Sequence, residues 1–240
     1  MHQVGSKYTL VGRVLASTHG SLRPIYVSAN WEELASALPP SDVLSRRSTG
    51  VAVTDNRSSW VRRLDAGSQV IYCKTYAYDS WRDRIGNWMK WTGPWRPSRA
   101  RRECAALTWL ARHDFPTPRQ YACFEARRFG LLHRATLVSA AAPGTPADQL
   151  LASATPPRRR AIAQQLGRFV RELHRAGFRD RNLDLRNLIV DGEAICNIDS
   201  PRHRIVAPDR GDDALAAADW QRLRPQLAAL GVGDAAEAAR

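Results

Sequence analysis

The segment 177–201, GFRDRNLDLRNLIVDGEAICNIDSP, constrains the fold of this chain more than any other stretch. Its apolar run Leu188-Ile189-Val190 meets Asp191-Gly192 and then a second apolar run, Ala194-Ile195-Cys196-Asn197-Ile198. Asp-Gly favours a two-residue hairpin turn, so two short antiparallel strands are expected here. Upstream, residues 158–176 place Ile162, Leu166, Phe169, Val170 and Leu173 on one face of a helix, with Gly177 at its end. A helix, a polar loop and a hairpin thus follow in order. The polar side chains they deliver are Asp180, Asn182, Asp184, Asn187 and, beyond the hairpin, Asp199.

The spacing of these groups carries chemistry. A base, four residues, an Asn, an apolar strand and an Asp about a dozen residues later is the order of a kinase catalytic loop. In that order Asn187 and Asp199 are the metal ligands, well placed across the hairpin to share a divalent ion that prefers hard oxygen donors. The catalytic-base position, five residues before Asn187, holds Asn182. An amide can orient a hydroxyl but cannot take its proton. Asp184 lies two residues further on; in an extended segment its side chain points the same way as that of Asn182, so it is the candidate replacement. Asp180 lies two residues earlier and is expected to pin the turn that carries Asp199. Asp184, Asp180 or no carboxylate at all remain the three alternatives.

Phosphoryl transfer also needs a lysine for the phosphates and a carboxylate that holds it. The run Gln69-Val70-Ile71-Tyr72-Cys73-Lys74-Thr75-Tyr76 is rich in β-branched and aromatic residues and reads as a strand. A lysine buried there without a partner would be costly. Glu103 is the first carboxylate of the next helix, which begins after Ser98, and is the expected partner. The other reading of Lys74 is an edge strand with its side chain in solvent. A Gly-rich phosphate loop is absent; the turn before this strand, Asp65-Ala66-Gly67-Ser68, holds one glycine. Residues 1–50 read as a variable extension with β-like runs at 8–15 and 24–27 and a short helix from Trp31. Residues 51–142 read as a small lobe of antiparallel strands. Ala140-Ala141-Ala142-Pro143-Gly144-Thr145-Pro146 reads as a linker, and 143–240 as a second, mainly helical lobe.

Composition narrows the partners. The 240 residues carry a formal net charge of +13, almost entirely on arginine, since lysine occurs only at 7, 74 and 90. Polyanionic partners follow from this: nucleic acid, anionic lipid, or a phosphorylated or carboxylated glycan. No helix-turn-helix, RNA-binding signature or zinc-finger spacing is present, so nucleic acid is not expected. The segment 81–97, WRDRIGNWMKWTGPWRP, interleaves tryptophan with basic residues, as surfaces at lipid headgroup level do. An anionic membrane surface contacted through residues 81–102 is therefore expected. No run of eighteen apolar residues and no signal-peptide layout occurs, which points to the cytoplasm. Cys73, Cys104, Cys123 and Cys196 are scattered and read as small buried hydrophobes.

Taken together, Lys74, Ser98-Arg99-Ala100 with Glu103, Phe115-Pro116-Thr117-Pro118, Leu137-Val138-Ser139, Leu173-His174-Arg175-Ala176-Gly177, Asn187 and Ile198-Asp199 resemble the lipopolysaccharide kinase family of Kdo/WaaP type. The resemblance spans roughly residues 55–230. It implies an α+β, two-lobed protein-kinase-like fold, with a small antiparallel β N-lobe and a short, mainly helical C-lobe. It implies ATP and Mg2+, with Lys74 and Glu103 on the nucleotide, Asn187 and Asp199 on the metal, and Asn182 or Asp184 at the acceptor. The acceptor would be a sugar hydroxyl of the lipopolysaccharide inner core (Kdo or heptose) or a related glycolipid. The place of work would be the cytoplasmic face of the bacterial inner membrane. Asn182 leaves one alternative, a pseudokinase acting as a nucleotide-binding scaffold or regulator.

Overall fold

The computed structural model describes residues 22–208 and 213–238. The β-like run expected at residues 8–15 lies outside them. The chain divides into two compact units. Of the described residues, one comprises 22–104 together with Arg119–Ala141; the other comprises Ala105–Pro118 and those from Ala142 onward.

The first unit is built on a six-stranded antiparallel sheet. In chain order it begins with β1 (Arg23–Val27), the short helices α1 (Trp31–Ala35) and α2 (Ser41–Leu44), and the strands β2 (Val51–Asn56), β3 (Ser59–Ala66) and β4 (Gln69–Ala77). Helix α3 (Trp81–Gly86), a π-helical turn (Trp88–Thr92) and helix α4 (Arg99–Arg112) follow, then β5 (Gln120–Arg128) and β6 (Leu131–Ala140). The sheet order is β1-β5-β6-β4-β3-β2. Residues 22–50 take part in this unit. β1 pairs with β5, and Leu34 and Leu44 join Ile71, Cys73, Phe124 and Val138 in the core. Trp31 meets Phe124 edge-on at 5.4 Å between ring centroids, a geometry that adds to the area both rings bury. All four cysteines are buried as thiols, and Cys104 Sγ donates to Gln120 Oε1 at 2.9 Å.

Local hydrogen bonds hold the tryptophan-rich segment after β4. Ser80 caps α3, its hydroxyl accepting the Asp83 N–H at 3.0 Å. Arg84 donates from Nε to the Tyr78 carbonyl at 2.8 Å and so ties α3 to the end of β4.

The second unit takes the C-terminal half of α4, then β7 (Thr145–Pro146), α5 (Ala147–Ser153) and α6 (Pro156–Arg175). Next come β8 (Phe178–Arg179), a 3-10 turn (Leu185–Asn187), β9 (Leu188–Asp191), β10 (Ala194–Asn197), β11 (Arg204–Ile205), α7 (Ala214–Ala229) and α8 (Gly233–Ala238). The expected hairpin forms, with Ile195 opposite Val190 and Gly192 at φ 58° in its turn. The apolar face of α6 is buried through Ile162, Leu166, Phe169, Val170 and Leu173. Gly177, at φ 92°, turns the chain out of α6, and a Cβ there would lie 2.4 Å from the Val206 carbonyl oxygen. Only glycine fits that conformation and that space, so the entry into the polar loop is fixed by a missing side chain. A six-stranded antiparallel sheet in one unit and a mainly helical second unit give the α+β composition expected from the sequence.

Candidate active site

In the first unit, Lys74 stands in the interior of the sheet. β4 is flanked by β3 and β6, and Lys74 lies opposite Val61 on one side and Leu137 on the other. The edge-strand reading is thereby excluded. Its Nζ is 3.0 Å from Glu103 Oε1. The other carboxylate oxygen, Oε2, accepts the Tyr76 hydroxyl at 2.9 Å. Glu103 is buried, so both of its oxygens have donors where water is scarce. Its helix starts where expected: Ser98 Oγ accepts the Arg101 N–H at 3.0 Å. Arg99, one turn before Glu103, lies over the Tyr76 ring at 4.6 Å. The ammonium is thus aimed by a carboxylate, and the carboxylate by a phenol.

In the second unit, the loop after β8 brings three of the expected residues together. Asn182 donates from Nδ2 to Asp199 twice, to the backbone carbonyl at 3.2 Å and to Oδ2 at 3.1 Å. Asn187 Nδ2 is 3.5 Å from the same Oδ2. Ile198 donates its backbone N–H to the Asn187 carbonyl at 3.0 Å, which locks the hairpin exit beside the Asn. Asp184 is engaged elsewhere. It caps the 3-10 turn by accepting the Arg186 N–H at 3.1 Å, and its two oxygens face Arg186 Nε and Nη2 at 3.1 and 3.0 Å. These bonds hold its carboxyl below the ordinary aspartate range, ionised and tied to a neighbouring side chain.

Asp180 points inward. It is almost fully buried, and its Oδ2 accepts the Asn197 amide at 2.9 Å. Burial pushes its pKa up to about 8, with the nearby Asp219 and Asp199 charges adding to the rise. Asp180 Oδ1 and Asn197 Oδ1 are buried without a hydrogen-bond donor among the described residues, and Ser200, beside the Asp180 carboxyl, offsets part of the rise together with Asn197. A proton on Asp180 gives this cluster a donor, which is the physical reason the neutral acid suits the site. Asn197 and Ser200 bracket Asp199 in sequence, so Asp180 packs against the chain on either side of Asp199.

Asp219, on α7, is the residue that sequence reasoning missed. Its side chain is fully buried. Oδ2 accepts the Asp180 N–H at 3.0 Å and Oδ1 the Arg181 N–H at 2.7 Å. His174 Nε2 lies 3.2 Å from Oδ2. Arg181 has φ 61°, a left-handed conformation that a side-chain-bearing residue adopts only when its surroundings impose it. Two consecutive N–H groups held by one carboxylate supply that imposition. α7 is placed by the start of its own helix: Asp213 caps Leu215 and Ala216 and also accepts from the buried Arg179 Nε at 3.2 Å.

The donor set suits a hard divalent cation. Asp199 and Asn187 each carry an oxygen donor and lie side by side, the Asn187 amide nitrogen 3.5 Å from Asp199 Oδ2, and no group of three or more His, Cys, Asp or Glu fit to hold a metal occurs among the described residues. Magnesium is commonly held by one or two protein oxygens with substrate phosphates completing its shell, so this pair fits such an ion. The profile of the phosphotransferase enzyme family, APH, matches residues 48–238.

The chain belongs to this family. This phosphotransferase also shares its fold with WaaP, solved in complex with acyl carrier protein. The TM-score is 0.52, at 17% identity, over 90% of this chain and 99% of that one. No curated protein sequence matches the chain. Family membership implies ATP as phosphoryl donor to the phosphotransferase.

Two predictions follow from the loop. Asp219→Ala leaves the buried Asp180 N–H and the part-buried Arg181 N–H without their acceptor, at about 1–3 kcal/mol for the first and less for the second. A urea titration should show unfolding free energy lower by roughly 3 kcal/mol; a loss too small to measure would remove Asp219 as the anchor. For Asp180, a pKa raised on folding means the native state holds a proton that the unfolded chain has released. Stability therefore falls as pH rises from the ordinary value of 3.8 toward about 8. Asp180→Asn keeps an acceptor for Asn197 and adds a permanent donor, so its melting temperature should lose this part of the pH slope. An unchanged slope would contradict the buried neutral acid.

Proposed function

We propose that the chain transfers the γ-phosphoryl group of ATP, with Mg2+, to a sugar hydroxyl of the lipopolysaccharide inner core or a related glycolipid. The observation that carries the reading is the approach of Asn182 and Asn187 to one carboxylate, Asp199, within a phosphotransferase-family chain. The sugar acceptor is supported by the sequence resemblance to Kdo/WaaP-type kinases and is compatible with the shared fold. Asp199 and Asn187 would hold the metal. When bound, Mg2+ supplies charge neutralisation at the phosphate oxygens. Lys74, aimed by Glu103, would meet the α- and β-phosphates.

At the acceptor, Asn182 orients the hydroxyl and leaves its proton in place. Asp184 is paired with Arg186, and Asp180 is buried against Asn197, so neither takes up the role of base at this position. Phosphoryl transfer passes through a loose transition state in which positioning and electrostatics dominate. A site without a carboxylate base is therefore slow rather than silent. The acceptor oxygen bonds to phosphorus as the bond to ADP breaks, and the hydroxyl proton passes to the transferred phosphoryl group or to water.

The same substitution favours a second reading, a nucleotide-binding scaffold without turnover, and one assay separates the two. Phosphate transfer from ATP to a Kdo-bearing lipid should be slow but measurable in the wild type. In Asn182→Asp it should rise on the order of 10-fold or more, toward the ~10²–10⁴ that a positioned base contributes. Asp184→Asn should leave the pH dependence of turnover unaltered. No transfer by the wild type and none by Asn182→Asp would favour the scaffold.

A further inference from the structure

Apart from Val51 and Val53 on β2, the large exposed apolar side chains described in the first unit lie on the segment 81–95 and the β5–β6 hairpin tip. Trp81, Ile85, Met89, Trp95 and Phe129 are 60%, 65%, 69%, 92% and 84% exposed. Single exposed hydrophobics are ordinary, but a cluster of large ones marks a binding surface. Trp81 and Ile85 stand one turn apart on α3, and Met89 follows four residues later in the π-helical turn. Phe129 sits at the tip of the β5–β6 hairpin, beside Gly130, and a Cβ on Gly130 would touch the Pro94 ring at 3.5 Å. That contact brings the Phe129 tip next to Trp95.

Arg127 fastens the two tips together. Its guanidinium donates to the carbonyls of Gly93, Arg96 and Gly130 at 3.0, 2.8 and 3.3 Å, while Nε pairs with the buried Glu125 at 2.9 Å. Phe129 itself has φ 52°, a conformation suited to Gly or Asn. A bulky aromatic is kept there and directed outward, where it packs on little of its own chain.

Cations are interleaved with these groups. Residues 81–102 hold seven basic side chains and one acidic one, Asp83, which is itself bonded to Ser80 and lies 3.7 Å from Arg57. Arg82, Lys90, Arg96 and Arg128 are exposed. Arg84 lies 5.5 Å from the Trp81 ring centroid and Arg128 5.3 Å from that of Phe129. Apolar tips ringed by cations suit an anionic interface that is fluid and needs no matching shape: the tips reach the acyl boundary and the cations stay with the phosphates. Inside the cluster, Trp91 lies under Arg99 and Arg102 at 5.9 and 5.7 Å. The surface is therefore contiguous with α4, the helix that carries Glu103.

We propose that this aromatic and basic surface docks the protein on an anionic lipid bilayer, with Trp95 and Phe129 as the inserting tips and Arg82, Lys90, Arg96 and Arg128 on the headgroups. It goes beyond the phosphotransfer reading and stands without it. The test is flotation of the full chain with phosphatidylcholine vesicles and with vesicles that also contain phosphatidylglycerol. The wild type should bind the anionic vesicles more strongly, and less so as salt is raised. Arg82→Gln with Lys90→Gln removes two surface charges at about 1 kcal/mol each, a loss of roughly 30-fold in partitioning to the anionic vesicles. Trp95→Ser with Phe129→Ser should weaken binding to them at high salt, where the apolar contribution remains. All four side chains are exposed, and unchanged melting curves would show that the variants are folded. Equal wild-type binding to both vesicle types, or wild-type binding by both double variants, would overturn the proposal. Because the assay contains neither ATP nor acceptor, its failure leaves phosphotransfer untouched, and inactivity leaves the docking result untouched.

Discussion

The buried carboxylate of Asp219 is the constraint on which the polar loop after β8 depends. It accepts two consecutive backbone N–H groups, at Asp180 and Arg181, and lies against His174 at the end of α6. With those donors fixed, Arg181 is held at a positive φ, and the chain leaves the turn with Asn182 directed at Asp199. Gly177 starts the turn by letting the backbone pass against the Val206 carbonyl. The polar cluster of the second unit is thus set by backbone anchoring, and its side chains follow.

The first unit solves a different problem with the same physics. A lysine in the middle of a sheet needs a partner, and Glu103 supplies one at 3.0 Å. Glu103 in turn is buried, and Tyr76 satisfies its second oxygen. Removing one member of a buried pair costs about 3–5 kcal/mol because the other charge is left unpaired. Such a pair is poorly explained as decoration; it makes sense where an ammonium must be presented in one direction.

Much of this was legible in the sequence, for local reasons. Lys74 sits in a β-branched run, Glu103 follows a Ser cap, and Asn187 and Asp199 flank an Asp-Gly hairpin; each signal spans a few residues. Asp219 was hidden because its partners lie nearly forty residues away, and Asp-Trp within an alanine-rich helix looks like an ordinary solvent-facing pair. Asp184 shows the opposite case. Its partner Arg186 is only two residues on, but the 3-10 turn that lets them meet has no strong sequence mark, and an extended segment would have sent the carboxylate elsewhere. The π-helical turn at Trp88–Thr92 was likewise unreadable, since no residue pattern specifies one.

The central claim is that these anchored groups bind a metal nucleotide, and a thermal-shift titration with ATP and Mg2+ tests it most directly. Wild-type protein should melt higher as the pair is added, by the equivalent of about 2.7 kcal/mol at a hundredfold excess over Kd. Asp199→Ala, which removes the carboxylate that Asn182 and Asn187 share, should lose that shift. A wild type whose melting is indifferent to ATP and Mg2+, or an Asp199→Ala variant that responds as strongly as the wild type, would contradict the account.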